Sequence, residues 1–346
     1  MNGGMELYLH MPFCVRKCAY CDFLSFSTDQ ETQNLYTRRL REDIDAMGKK
    51  YGDIPVDTIF IGGGTPSVPD SALIVGIMEH VRKAFHVAEG AEISMEANPG
   101  TVTREKLTDY RKAGINRLSF GLQSANGREL KLLGRIHTWA EFLESFHLAR
   151  ECGFTNINID LMSALPGQTR ESWKDTLKRV TDLNPEHISA YSLIIEDGTP
   201  FGEKYGSEEG RKLLPDEDSE REMYHETKRF LRDCGYERYE ISNYAKPGRA
   251  CRHNIGYWTG LPYLGLGLGA SSYMDGCRFA VNSDMKQYLE EKPGMFTDVE
   301  KLTKKDMEEE FFYVGLRMTA GVSLPEFERR FGVSAKDVYP GLMEMF

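Results

Sequence analysis

The chain has 346 residues and a formal net charge of −10, with acidic and basic residues interspersed. This balance gives no basic footprint for nucleic acid, and no apolar run is long enough to cross a bilayer. The sequence shows no N-terminal signal pattern. Seven cysteines, three of them tightly clustered, favour a reducing compartment over a secreted disulfide framework. We therefore expect a cytoplasmic protein.

Short apolar or β-branched runs alternate with amphipathic segments through the first two hundred residues. The alternation predicts an α/β fold with a parallel sheet covered by helices. The expected strands are Leu7–Met11, Thr58–Ile61, Glu92–Ala97, Arg117–Gly121, Asn156–Leu161 and His187–Ile195. Between them, apolar residues recur at helical spacing, and Thr138 with Glu141 forms a capping box that starts one helix.

Chemically capable residues follow the predicted strands at their carboxyl ends. A cysteine loop follows the first strand, Gly62–Pro66 the second, Glu96–Pro99 the third, and Gln123 and Asp160 end the next two. A parallel barrel gathers its active site at this face, so we expect these residues to form one site. Gly62–Gly64 also fits a plain tight turn, and Glu96 and Arg135 also fit surface charges.

Three cysteines, Cys14, Cys18 and Cys21, lie within eight residues of one another. Thiolates are the ligands of iron–sulfur clusters, and three of them leave one iron of a cubane open for a small molecule. A zinc knuckle that lacks its fourth ligand and three unrelated buried cysteines are the alternative interpretations.

The spacing Cys14-x3-Cys18-x2-Cys21 resembles the signature of radical S-adenosylmethionine (SAM) proteins. The strings Gly-Gly-Gly-Thr-Pro66, Glu-Ala-Asn-Pro99 and Gly-Arg-Ile-His137 are similar to those of the oxygen-independent coproporphyrinogen III oxidase-like family. The resemblance implies a partial (β/α)6 TIM-like radical SAM barrel with a 4Fe-4S cluster on the three cysteines and SAM chelating the open iron.

By position, the resemblance implies a set of SAM-binding residues. They are Tyr8, Tyr20, Gly63, Gly64, Thr65, Glu96, Gln123, Arg135 and Asp160. We assign the Gly63–Thr65 backbone to the methionyl group, Arg135 to its carboxylate, Asp160 to the ribose hydroxyls and Tyr20 to adenine. No catalytic residue is assigned.

The second half of the chain departs from the oxidases. They carry a further cysteine where this chain has Phe23, and they extend well before the cysteine loop. The string His253-Asn-x-x-Tyr257-Trp258 instead resembles the haem-chaperone (HemW) subgroup. Imidazole is a haem ligand and the two aromatic rings suit a macrocycle, so these three residues are our haem candidates. A hydrogen-bonded core histidine is the alternative, and Cys251 is a second candidate ligand.

We expect three regions: a radical SAM core over 1–200, an accessory region with the HNxxYW motif over 201–296, and a small helical domain over 297–346 whose completeness is open. The expected function is a haem chaperone that passes haem to an acceptor protein. The alternative is oxidative decarboxylation of coproporphyrinogen III by a 5′-deoxyadenosyl radical. Expected partners are haem, a haem acceptor and an electron donor for the cluster. A peripheral contact with a membrane-bound acceptor is compatible with this reading.

Overall fold

The computed structural model describes residues 4–341. The strands are β1 (Met5–Met11), β2 (Val56–Gly63), β3 (Val87–Ala97), β4 (Arg117–Gln123), β5 (Ile157–Ser163), β6 (His187–Ser192), β7 (Glu237–Arg238), β8 (Asn243–Ala245), β9 (Tyr263–Leu266), β10 (Ser271–Met274), β11 (Cys277–Ala280) and β12 (Thr297–Lys301).

Helices connect and cover these strands. They are α1 (Gln30–Tyr51), α2 (Ser71–Ala84), α3 (Arg104–Lys112), α4 (Gly127–Leu132), α5 (Trp139–Glu151), α6 (Arg170–Asp182), α7 (Pro200–Tyr205), α8 (Glu208–Arg211), α9 (Glu217–Asp233), α10 (Arg252–Trp258), α11 (Met285–Glu290), α12 (Lys304–Gly315), α13 (Leu324–Phe331) and α14 (Ala335–Val338). No helix within residues 4–341 combines the length and apolar character that a membrane crossing needs.

Strands β1 to β6 lie side by side in chain order and pair in parallel, each connected to the next through helices. The six predicted strands are confirmed, although β6 ends at Ser192 rather than Ile195. The sheet runs from β12 at one edge to β7 at the other, so the barrel is partial.

Successive side chains along each strand point to opposite faces of the sheet, one towards the covering helices and the other towards the interior of the barrel. In β1, Leu7 and Leu9 point towards the covering helices and are fully buried in the apolar core. Their neighbours Glu6, Tyr8 and His10 point to the opposite side, the concave interior of the barrel. The interior is therefore lined by polar and aromatic side chains, while the outer layer holds the apolar core.

The accessory region adds strands to both edges of the same sheet. Strand β9 pairs in parallel with β1, and β10 to β12 continue outward from it in antiparallel pairing. At the other edge β8 pairs antiparallel with β6. The boundary proposed at residue 200 thus falls after β6, the last of the six consecutive parallel strands, and residues on both sides of it share one sheet.

The C-terminal region is helical from Lys304 onward, as α12 to α14. The charged composition from Thr297 onward predicted a helical domain. Thr297–Lys301 instead forms the edge strand β12, which pairs with β11. Backbone pairing along an open sheet edge outweighs weak helix propensity over five residues. Residues 342–346 of the proposed domain lie outside the described residues.

Candidate cofactor site

The cysteine loop leaves β1 at the carboxyl end of the barrel, and backbone hydrogen bonds fix its position. The Cys14 N–H donates to the Phe26 carbonyl at 2.8 Å, and the Phe26 N–H donates to the Pro12 carbonyl at 2.7 Å. Further along, the Ala19 N–H donates to the Leu133 carbonyl at 3.0 Å. These bonds tie both halves of the loop to the protein without any help from the thiols.

Cys14, Cys18 and Cys21 are free thiols at half-buried positions. Within residues 4–341 no three His, Cys, Asp or Glu side chains converge as the ligands of a single metal ion would. A cubane binds each thiolate through a different iron, so its ligands need not meet at one point. Three uncommitted thiols on one anchored loop therefore fit a cluster better than a zinc ion.

The turn Gly63–Thr65 lies directly against the cysteine loop. Its three N–H groups are all bonded within the protein: Gly63 to the Glu96 carboxylate at 3.0 Å, Gly64 to the Met11 carbonyl at 2.9 Å, and Thr65 to the Phe13 carbonyl at 2.7 Å. The turn therefore offers a ligand no free N–H. Among the described residues, nothing donates to the Gly64 carbonyl oxygen, which is suited to an ammonium group.

The glycines of this turn are required by close contacts. Gly63 has φ +111°, and a Cβ there would lie 2.4 Å from the His10 ring. A Cβ on Gly64 would lie 2.8 Å from the backbone of Phe13. Only glycine permits both the left-handed backbone and this approach to the cysteine loop.

Arg135 reaches from the segment after α4 to the cysteine loop. One guanidinium nitrogen lies 3.6 Å from the Cys18 sulfur, and the other donates to the Asn98 side-chain oxygen at 2.7 Å and to the Gly121 carbonyl. The buried Arg135 Nε has no partner among the described residues. A guanidinium with a free donor beside the Cys18 thiol is suited to a carboxylate that binds next to the three cysteines.

Two carboxylates, Glu96 and Asp160, point into the mouth of the barrel. Burial raises the pKa of Glu96 to about 7, and the charge of Asp160 adds to that rise. Burial also raises the pKa of Asp160, against the hydrogen bond that the Ser119 hydroxyl donates to it at 2.9 Å. Within residues 4–341 no Lys or Arg forms a salt bridge with either carboxylate, although the charge of Arg117 lowers the pKa of both, so both are suited to accept from hydroxyl or ammonium donors of a ligand.

The remaining predicted SAM contacts lie around the same mouth. Gln123 ends β4 at a bulge, with φ +71°, a strained conformation for a residue with a side chain. Tyr20 lies in the cysteine loop and packs against Phe201, with ring centroids 6.4 Å apart. The Tyr8 hydroxyl lies deeper and bonds His10 Nδ1 at 3.0 Å. The structure thus brings the predicted cluster and SAM residues to one end of the barrel.

The HNxxYW motif lies elsewhere, in helix α10 inside the concave face. His253 is 1 % exposed and stacks on Phe60, with centroids 5.3 Å apart. Its Nδ1 bonds the Thr58 hydroxyl at 2.7 Å and its Nε2 bonds the Tyr257 hydroxyl at 3.0 Å. Burial and the charge of Arg117 lower the pKa of His253 to about 3, so the ring is neutral.

The other two haem candidates flank this buried histidine. Tyr257 is half-buried and also packs edge-on against Tyr263 at 4.7 Å between centroids. The guanidinium of Arg317 lies 4.3 Å from the centre of the Trp258 ring, so one ring face is covered by a cation. The three side chains share one helix, and both ring nitrogens of the candidate ligand His253 are already hydrogen-bonded.

The sequence analysis missed several polar residues that support the site. Asn98 orients Arg135, while Ser119 and Asn158 donate to Asp160 at 2.9 and 2.8 Å. His187 bonds Asn158 in turn at 2.6 Å. A signal was present: in β4, β5 and β6 polar residues alternate with apolar ones, which indicates a polar inner face.

Comparisons with known proteins agree with this architecture. Residues 8–180 match the model of the radical SAM superfamily, and residues 302–346 match that of the HemN C-terminal domain. The haem chaperone HemW of Bacillus subtilis is 36 % identical over 341 residues, which cover 97 % of this chain and 89 % of that protein. The HemW protein of Escherichia coli is 41 % identical over 272 residues, covering 77 % and 69 %.

Among solved structures, coproporphyrinogen III oxidase (HemN) from Escherichia coli, a radical SAM enzyme, superposes with a TM-score of 0.85. The two sequences are 26 % identical, and the match covers 100 % of this chain and 83 % of HemN. Oxidase and chaperone thus share the fold, whereas sequence identity is higher to the chaperones. The chain belongs to the radical SAM superfamily and, within it, to the HemW family.

Proposed function

We propose that this protein is a cytoplasmic haem chaperone that binds haem and passes it to an acceptor protein, with a 4Fe-4S cluster and SAM at the mouth of its barrel. The observation that carries the cofactor part is the Cys14–Cys21 loop with three free thiols, placed beside Arg135 and the Gly63–Thr65 turn. The proposal that the cargo is haem is supported by the family relationship to haem chaperones.

Each part of SAM has a chemically suited neighbour in this mouth. When bound, the cluster and SAM would supply the redox chemistry of the site. The Gly64 carbonyl accepts from the ammonium, Arg135 pairs with the carboxylate, and Asp160 accepts from the ribose hydroxyls. Glu96 receives the Gly63 N–H and so holds the turn in place. Tyr20 covers the adenine.

The haem site proposed at His253, Tyr257 and Trp258 has a structural requirement. Both ring nitrogens of His253 are bonded, and its side chain is enclosed. Iron can reach Nε2 only after the Tyr257 hydroxyl has moved away. Haem binding through His253 is therefore expected to require at least a rearrangement of the Tyr257 side chain.

Haem titration of the purified protein, with and without the reconstituted cluster, tests the function. We expect a saturable Soret band for the wild type and a weaker, shifted one for His253→Gln, which keeps hydrogen-bonding capacity but removes the imidazole ligand. His80→Ala, a histidine paired with Asp45 far from both regions, is the control. A wild type that gives no saturable band contradicts the chaperone function, and a wild-type band in His253→Gln contradicts the ligand.

The second candidate function is oxidative decarboxylation of coproporphyrinogen III, favoured by the close superposition on HemN. Phe23, at the position where the oxidases carry a further cysteine, is 62 % exposed beside the cysteine loop. An anaerobic assay with reductant, SAM and coproporphyrinogen III separates the two functions. We expect no protoporphyrinogen IX, and turnover would establish the oxidase instead.

A further inference from the structure

A chain of buried hydrogen bonds runs from Asp160 down through the interior of the barrel. Asn158 Nδ2 donates to Asp160 Oδ1 at 2.8 Å and to the Ser119 hydroxyl at 2.7 Å, and that hydroxyl donates to Asp160 Oδ2 at 2.9 Å. Asn158 Oδ1 accepts from His187 Nδ1 at 2.6 Å. His187 Nε2 then bonds the Tyr239 hydroxyl at 2.8 Å.

Which atom donates in each of these hydrogen bonds can be worked out by starting from the carboxylate of Asp160. Asp160 only accepts, so Asn158 must turn its amide nitrogen upward and its oxygen downward. That oxygen accepts from the Ser189 hydroxyl at 3.2 Å and faces His187 Nδ1 at the shorter distance of 2.6 Å. Because an amide oxygen only accepts, His187 carries its proton on Nδ1 and its Nε2 accepts from Tyr239. The Tyr239 oxygen then accepts the Cys251 N–H at 3.4 Å. Burial lowers the pKa of His187 well below its usual value, which fits a neutral ring.

His187 is completely buried, so it touches no ligand at the mouth. Its effect reaches Asp160 through the orientation of one amide. If Asn158 turned over, its oxygen would face Asp160, and the carboxylate would lose a donor and rotate. With Asn158, Ser119 and Ser189 as donors, part of the acceptor capacity of Asp160 is filled, and the rest remains for donors from the mouth.

We propose that His187 is a positioning residue that holds Asp160, through Asn158, in the orientation that accepts the two ribose hydroxyls of SAM, with Tyr239 fixing the tautomer of His187. This inference rests on the proposed SAM site. It also gives Tyr239, in the accessory region, a defined role at the mouth of the barrel. The chain of bonds ends on the backbone N–H of Cys251, the N-cap residue of the motif helix α10.

Anaerobic equilibrium dialysis of labelled SAM against the reconstituted protein tests the proposal with two variants of similar shape. His187→Asn can place an amide N–H near the position of Nδ1, whereas His187→Leu places none. We expect His187→Leu to bind SAM at least about tenfold more weakly and His187→Asn to stay within about threefold of wild type. Equal losses in both variants would overturn the proposal.

A double-mutant cycle separates positioning from general damage. In an Asp160→Asn background, where no charge remains to be oriented, His187→Leu and His187→Asn should bind SAM equally well. The same difference in both backgrounds would show that His187 acts by another route. If wild-type protein itself binds no SAM, the proposed cofactor falls and this inference falls with it. Haem binding, measured separately, stays independent of that outcome.

Tyr239→Phe supplies a test that does not depend on the folding of His187→Leu. Losing the hydroxyl frees the tautomer of His187, and we expect about a threefold loss of SAM affinity. Tyr236→Phe is the matched control, since this buried tyrosine donates to the Pro185 carbonyl at 2.7 Å outside the chain of bonds. Wild-type affinity in Tyr239→Phe, or the same loss in Tyr236→Phe, would overturn the role of Tyr239.

Discussion

The mouth of the barrel and its interior are built from similar polar residues but differ in how these are bonded. At the mouth, Arg135 Nε and the Gly64 carbonyl have no partner among the described residues, and three thiols are free. In the interior, both nitrogens of His253 are bonded, and Glu92 accepts from the backbone at the start of α10. Buried atoms without a partner also occur in the interior, at Glu6 Oε2, Arg117 Nε and Trp258 Nε1, but the candidate ligand His253 has both nitrogens bonded. The mouth is therefore the region whose candidate ligands are open.

The difference predicts different costs of binding. A ligand at the mouth gains hydrogen bonds from groups that already face it, whereas a ligand on His253 must first break existing ones. The interior motif therefore contributes to stability in the form described here. The motif can bind haem through His253 only after the hydrogen bonds of that side chain have been broken.

The largest expected effect is at the mouth. Cys14→Ala removes one of three thiolates, and we expect loss of the iron–sulfur absorbance after anaerobic reconstitution, with little change in unfolding. Cys152→Ala, on the far side of the barrel wall at the end of α5, should keep the wild-type spectrum. An undiminished spectrum in Cys14→Ala would contradict the ligand assignment.

The second largest expected effect is a loss of stability on substitution of His253 in the interior. His253→Ala removes the stack on Phe60 and two buried hydrogen bonds, so we expect the free energy of unfolding to fall by about 3–5 kcal/mol. Denaturant titration measures this, with half-buried His80→Ala changing it far less. A loss below about 1 kcal/mol would mean that α10 is only loosely held.

Stability should also depend on pH through Glu6, a buried carboxyl of the interior. Burial raises its pKa from 4.5 to about 8, against the hydrogen bond from Thr58. Between these values only the folded state keeps the proton, so the stability that Glu6 contributes is complete below pH 4.5 and is lost as the pH rises to about 8.

Glu6→Gln removes this titration. Across that pH window we expect the wild type to lose roughly 2–4 kcal/mol of unfolding free energy relative to the variant. Denaturant titrations at pH 5 and pH 8 measure the difference. Parallel pH profiles for the two proteins would show that Glu6 titrates normally and that the interior is more hydrated than its burial indicates.

The smallest effect lies outside both regions. Thr138→Ala removes the capping box of α5, in which Thr138 and Glu141 bond each other's backbone N–H groups. We expect a loss of about 1 kcal/mol in unfolding free energy and unchanged cluster absorbance. A change in the cluster would mean that α5 positions Arg135, which lies just before it.

The sequence predicted the parts that follow repeating patterns. Alternation and helical spacing located β1 to β6, and the Thr138 capping box is confirmed. The strand ends predicted that the candidate site residues lie near one face, and the structure brings most of them to the mouth of the barrel, because parallel strands end together. The prediction that residues from Thr297 onward are helical was wrong for β12, since pairing with a neighbouring edge is not visible in five residues.

Long-range hydrogen bonds could not be predicted. The Gly63–Thr65 turn was expected to offer its backbone to SAM, yet its N–H groups bond Glu96, Met11 and Phe13. Likewise nothing local shows that Tyr239 meets His187, 52 residues away in the chain. Such contacts depend on which later segments of the chain pair with the edge strands of the sheet, as β8 does with β6.

The backbone bonds that hold the cysteine loop have a practical consequence. Because Phe26 and Leu133 bond the loop through main-chain atoms, part of its shape is set by the protein and not by the thiols. If oxygen strips a cluster bound there, we expect these bonds to keep the thiols near one another. Repair would then need only local inorganic assembly, and the protein would not have to be made anew.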